Sequence, residues 1–193
     1  MLAACSSPAS KQNDGEKHQQ SKPISYVSTE IGWSIKAPEG FKLISEKNMT
    51  ESTKKGQEAI GEVYNGEVNV DSLKHLFSFQ KNQLNMFDST IEPYDVKKSG
   101  SYEKNNQLLK KLVFDTYANQ KIKVDTASSI GEIAGEKFNI FEIKVHGPSG
   151  EIAMTQLMYS KLYKRYDFGI TIIYNNEVDK NLMMGALGKS RFY

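Results

Sequence analysis

The sequence predicts an α+β domain built on a mainly antiparallel sheet, and three observations carry the prediction. Four long β-rich runs follow one another in the C-terminal half with only short turn segments between them. Two stretches of helical periodicity precede these runs and a third follows them. The chain has 193 residues, 38% hydrophobic and 25% charged, enough to bury about 70% of its unfolded surface around one core.

The elements follow in order. Ile24 to Glu30 and Trp33 to Ala37 form an opening strand pair around Ile31-Gly32, because Val27, Trp33 and Ile35 fall at strand spacing before Pro38-Glu39-Gly40 breaks the run. A short strand follows over Phe41 to Ser45. Asn48 stands three residues before Glu51 in a capping-box pattern, and Ala59, Ile60, Val63 and Tyr64 share one face of the first helix. Turn residues Asn65-Gly66 and Asp71-Ser72 lead to strands over Leu76 to Gln80 and Met86 to Pro93. Tyr102 to Tyr117 is the second helix, with Leu108, Leu109, Leu112 and Val113 at helical spacing.

The meander strands are Lys121 to Ile130, Lys137 to His146, Ile152 to Lys161 and Arg165 to Asn175. Ala153, Thr155, Leu157 and Tyr159 alternate against Tyr166, Phe168, Ile170 and Ile172, as neighbouring antiparallel strands over one core should. Asn176 caps a last helix over Glu177 to Lys189, whose apolar stripe is Val178, Leu182, Met183, Ala186 and Leu187.

Leu2-Ala3-Ala4-Cys5, followed by Ser6 and Ser7, reads as a lipobox, with small residues before a thiol that accepts a diacylglyceryl group. Met1 directly precedes it with no basic or apolar region between, so residues 1–5 are expected to be the remnant of a lipoprotein signal, cut short by an artificial start or continuing upstream. Residues 6–23 are polar and without period, the composition of a disordered tether reaching on the order of 25 Å; His18 is solvated within it. Residues 24–193 form the single globular domain. The expected address is the cell envelope, extracytoplasmic and lipid-anchored through Cys5, in either the outer or the cytoplasmic membrane.

The sole cysteine excludes an intramolecular disulfide, so the core holds by packing. The formal net charge is +2 with lysines and acids interleaved, which gives no electrostatic footprint for nucleic acid. No apolar run approaches the roughly 18 residues of a membrane span; the longest runs from Phe168 to Tyr174.

The motifs of catalysis are missing. His18, His75 and His146 are scattered, no Gly-x-Ser-x-Gly elbow occurs, and Ser149 near His146 belongs to a Gly-Pro-Ser-Gly turn. Glu62, Glu67 and Asp71 around Asn65-Gly66 lack the alternating spacing of a calcium loop, and Gly131 to Gly135 lacks the lysine of a phosphate loop. No catalytic, cofactor or metal residues are nominated. One cluster stands out for binding: Tyr159, Lys161, Tyr163, Lys164, Arg165 and Tyr166 mix tyrosines and cations at a hairpin tip. That mixture suits anionic lipid, cell-wall glycan or an envelope protein; equally, alternate tyrosines can face the core while the cations keep the tip soluble. Trp33 beside Gly32 is a core plug or a platform for stacking sugar.

The phrase Gly32-Trp33-Ser34-Ile35-Lys36-Ala37-Pro38-Glu39-Gly40-Phe41, the hairpin Gly135-Glu136-Lys137-Phe138, and a terminal helix running into Ser190-Arg191-Phe192 resemble PsbP-like domains and the DcrB-like bacterial lipoproteins. The resemblance covers residues 24 to 193 in its order of elements and includes no catalytic signature. It implies an α/β/α sandwich with helices on both faces of a central sheet, and a role in assembly, envelope maintenance or partner binding. With a lipobox and no sign of a photosystem partner, oxygen evolution is not implied. The function expected is a non-enzymatic binding or assembly module. The alternatives are a hydrolase-like envelope enzyme with an unrecognised carboxylate site, and a curved sheet wrapped on a helix, a fold that usually begins with a long helix rather than with strands.

Overall fold

The computed structural model describes residues 25–64 and 72–193. Cys5, the tether with His18, and the turn residues Asn65, Gly66, Glu67 and Asp71 lie outside the described residues, as do the side chains of Glu62, Val63 and Tyr64.

The chain runs β1 (Ser25–Ser28), β2 (Trp33–Lys36), β3 (Lys42–Leu43), α1 (Glu46–Tyr64), β4 (Lys74–Asn82), β5 (Asn85–Pro93), α2 (Val96–Ser99), α3 (Tyr102–Asn119), β6 (Val124–Ile133), β7 (Glu136–His146), β8 (Ile152–Tyr163), β9 (Tyr166–Tyr174), α4 (Glu177–Gly188) and β10 (Arg191–Phe192). Seven strands form an antiparallel sheet in the order β3-β4-β5-β9-β8-β7-β6, and β1-β2-β10 form a second, small sheet. The predicted α+β class with a mainly antiparallel sheet is what folds.

The large sheet has two unlike faces. Phe79, Phe87, Phe168, Ile170 and Ile172 alternate onto one of them and meet Trp33, Ile35, Met183 and Leu187 from β2 and α4. The alternation expected of β8 and β9 is realised: Leu157 pairs with Ile172 and Tyr159 with Ile170. Aromatic edges interlock here, with the Trp33 and Phe168 rings 5.2 Å apart. Burying each such ring stabilises the fold by about 1.5–3 kcal/mol. Trp33 is therefore a core residue, 0% exposed.

The opposite face lies under α1 and α3 and is far more polar. Thr53 of α1 meets His75 of β4, while Asn106 and Tyr102 of α3 meet Ser160 and Asp167. A smaller apolar cluster of Phe141, Ile143 and Val145 is closed by Val113 and Tyr117 of α3.

Three sequence-based expectations change. Ser45, not Asn48, stands before α1, and its Oγ accepts from the Asn48 amide at 3.4 Å; helix starts are ambiguous wherever several capping residues cluster. α3 turns Tyr102, Asn106, Val113 and Tyr117 inward and leaves Leu108 66% exposed. α4 likewise buries Asp179 in place of Val178, because Asp179 Oδ1 receives the Lys81 ammonium at 2.6 Å. α2 and β10 were not foreseen. β10 is only two residues long and exists because it pairs with β2.

Gly32 makes that closure possible. Its φ is +64° and any Cβ would overlap the Tyr193 carbonyl oxygen, while the Tyr193 amide donates to the Gly32 carbonyl at 2.9 Å.

Candidate functional site

Alternation along three adjacent strands places small and polar side chains on the α3 side of the sheet. β5 contributes Thr90 and Glu92, β9 contributes Asp167, Gly169 and Thr171, and β8 contributes Met158 and Ser160. The register sets Thr90 against Gly169 and Glu92 against Asp167. Together with Leu109 and Lys110 of α3 these residues enclose a cavity of about 190 Å³. Gly169 keeps its floor open, since a Cβ there would meet Thr90 Oγ1 at 3.0 Å.

The cavity has an acidic end and a basic end. At the acidic end Asp167 accepts from the Tyr102 hydroxyl at 2.9 Å, and Glu92 accepts from the Ser72 hydroxyl at 2.5 Å. Burial pushes the Asp167 carboxyl above the usual carboxylate range; the Tyr102 hydrogen bond opposes that shift and the charge of Glu92 adds to it. Burial, with the charge of Asp167, pushes the Tyr102 hydroxyl up as well. At the other end Lys110 donates to Ser128 at 3.2 Å and lies 5.7 Å from the centre of the Phe141 ring, with its pKa lowered by burial. Asn106, 7% exposed, donates to Ser160 Oγ at 2.5 Å and fixes the roof between the two ends.

His75 lies on the same face, paired in register with Thr90. Its Nδ1 is 3.0 Å from Asp88 Oδ1 and its Nε2 is 2.8 Å from Thr53 Oγ1. Thr53 Oγ1 has one proton and also lies 3.0 Å from the Met49 carbonyl oxygen. With the Thr53 proton directed to Met49, Nε2–H donates to Thr53 and Nδ1–H to Asp88, the arrangement of an imidazolium; with that proton directed to Nε2, the ring is the neutral Nδ1–H form. The hydrogen bond to Asp88 accordingly raises the His75 pKa. The chain of Thr53, His75 and Asp88 thus links α1 to β4 and β5.

The predicted hairpin cluster is brought together at the β8–β9 turn, but its members point different ways. Tyr159 is 5% exposed and directs its hydroxyl to Met184 Sδ at 3.5 Å. Lys161 pairs with Glu136 and lies over the Phe138 and Tyr163 rings. Lys164, at φ 56°, donates to the Ile31 carbonyl at 3.1 Å. Arg165 is exposed beside the half-buried ring of Tyr166, and Tyr163 packs against Phe192 with centroids 5.1 Å apart.

His146 bonds Asp125 at 2.7 Å and the Gly150 carbonyl at 3.0 Å, while Ser149 donates to Glu151, so those two residues hold a turn together. Among the described residues no group of three or more His, Cys, Asp or Glu side chains is placed to hold a metal ion. Among the same residues no helix is long and apolar enough to cross a membrane.

Glu92, Asp167 and Asn106 are not among the residues that sequence alone singles out, and His75 is there only one of three scattered histidines. The Glu92–Asp167 juxtaposition depends on β5 lying beside β9, a long-range pairing with no local signal.

A seven-stranded antiparallel sheet with α4 and a three-stranded sheet on one face and α1 and α3 on the other is a PsbP-like fold. Among solved structures it is similar to the solution structure of cyanobacterial PsbP (CyanoP) from Synechocystis sp. PCC 6803, with a TM-score of 0.55 and 12% identity over 93% of this chain and 98% of that one. No family model matches the sequence, and no curated protein sequence matches it.

Proposed function

We propose that this chain is a bacterial envelope lipoprotein, anchored by an acyl group on Cys5, whose PsbP-like domain is a non-enzymatic binding module. The lipobox supports the anchor and the extracytoplasmic address. The observation that carries the binding role is the cavity under α3, where Glu92 and Asp167 face each other across neighbouring strands beneath apolar walls. A space of this size holds a small molecule of roughly benzene's dimensions or slightly more. Two facing carboxyls select a cationic or hydroxyl group and disfavour an anion. The hairpin surface of Tyr163, Lys164, Arg165 and Tyr166 is a second contact face, open to an envelope protein, anionic lipid or cell-wall glycan.

The test follows backbone amide signals of Asn106 and Gly169 in the full chain while benzylamine, benzyl alcohol or benzoate is added. The amine and the alcohol shift them more than benzoate, whose carboxylate can reach only Lys110, and Gly169→Leu removes the response. If none of the three probes moves these signals, the cavity is not the binding seat.

A hydrolase-like reading draws on the same pair, because a carboxyl with a raised pKa opposite a second carboxyl is the arrangement of a general acid with its partner. Turnover of a glycoside or ester probe, abolished by Asp167→Asn, would favour it over binding.

A further inference from the structure

The small sheet turns a second surface outward. Register sets Ser25 beside Lys36, Val27 beside Ser34, and Ser34 beside Arg191, so these five side chains share the face away from the core. Lys189, which caps the C-terminus of α4, adjoins them. Lys36, Lys189, Arg191, Ser25 and Ser34 line an open groove of about 510 Å³.

Its electrostatics are one-sided. β1, β2 and β10 contain no acidic residue, and Lys36, Lys189 and Arg191 form no ion pair among the described residues. Three like charges beside one another repel, and an anion in the groove relieves that repulsion. The guanidinium supplies a planar fork for phosphate, the ammonium groups supply point charges, and the two serine hydroxyls add neutral donors. Val27, 53% exposed on the same face, supplies the apolar contact of an interfacial surface.

Charge complementarity selects phosphate as the occupant, and the course of the sequence back to the proposed anchor favours a lipid source. Ser25, which lines the groove, begins the fold directly after the segment leading back to Cys5. We infer that this face is a docking surface for the phosphate headgroups of anionic phospholipid, lying against the membrane that holds the acyl chain. The orientation rests on the lipid-anchored reading above, but the headgroup affinity belongs to the groove and is measurable without the anchor.

The experiment uses the full chain carrying Cys5→Ser, which cannot be acylated, so its result is independent of whether the native thiol is modified. Sedimentation with vesicles of one part phosphatidylglycerol to three parts phosphatidylcholine in low salt is compared with pure phosphatidylcholine. The chain binds only the anionic vesicles and is released at high salt. Replacing Lys36, Lys189 and Arg191 together by Ser weakens the partition roughly one-hundred-fold, whereas replacing Lys97, Lys98 and Lys104 of α2 and α3, which do not line the groove, by Ser changes it little. Spin-labelled phosphatidylglycerol broadens the amide signals of Val27, Ser34, Lys36 and Arg191 in the chain with its groove intact, a readout that needs no destabilising variant. Absence of binding to the anionic vesicles, an equal loss in the Lys97/Lys98/Lys104 control, or broadening elsewhere overturns the inference. Displacement by millimolar inorganic phosphate also overturns it, and assigns the groove to a soluble phosphate compound.

Discussion

The Tyr102 hydroxyl donates to Asp167 Oδ1 at 2.9 Å and so fastens the first turn of α3 to β9 at the acidic end of the cavity. Tyr102→Phe leaves the buried carboxyl without that donor and is expected to destabilise the fold by about 1–3 kcal/mol in urea unfolding. The Asp167 pKa rises further in the variant, because this bond is the influence that lowers it. An unchanged carboxyl titration would show that the bond does not form in solution.

Asp167 also ties stability to pH. Its folded-state pKa is raised, so its favourable contribution is present in full below the ordinary aspartate value and is lost as pH rises through the folded value. Asp167→Asn, which keeps an acceptor for Tyr102, is therefore expected to be more stable than the parent at neutral pH and to lose that advantage in acid. Thermal midpoints at neutral and acidic pH check the sign.

The His75 bridge predicts the same sense of pH dependence at a higher range. Its pKa is raised by Asp88, so the bridge contributes fully below the unbound imidazole value near 6.5 and weakens as pH climbs through the folded value. Exchange protection in α1, corrected for the intrinsic base-catalysed rise, should fall as pH climbs above that value, and His75→Phe should remove the fall. Corrected protection that does not change with pH in the parent would contradict a role for the His75 proton in holding α1.

Gly32→Ala is expected to cost about 1–2 kcal/mol from its positive φ alone, with a further penalty from displacing Tyr193. Carboxypeptidase digestion should then reach Arg191–Tyr193 faster than in the parent.

Much of the fold was legible because its signals are local. The strict alternation through Phe168, Ile170 and Ile172 identified β9, and Asn176 marked the start of α4 by accepting from the Asp179 amide at 2.9 Å. Where periodicity left a choice of face, tertiary partners decided. Leu108 fits a helical stripe as well as Val113 does, but only Val113 lies over the Phe141 cluster. Val113→Ser should accordingly destabilise the fold by more than 1 kcal/mol and Leu108→Ser by less than about 0.5 kcal/mol, which equilibrium unfolding of the two variants separates.

The site was less legible than the fold. Glu92 and Asp167 become neighbours only through the β5–β9 register, and Thr53 reaches His75 only because α1 crosses β4. The tyrosines and cations of the β8–β9 hairpin were conspicuous in sequence, yet Tyr159, Lys161 and Lys164 spend their polar groups on Met184, Glu136 and Ile31.

The proposed role begins with chemistry at a single sulfur, and intact-mass analysis of the native full-length product from its own cells tests it most directly. The mature chain should begin at Cys5, carry a diacylglyceryl group on Sγ and fractionate with membranes. A free Cys5 thiol within an uncleaved, water-soluble chain would contradict the account.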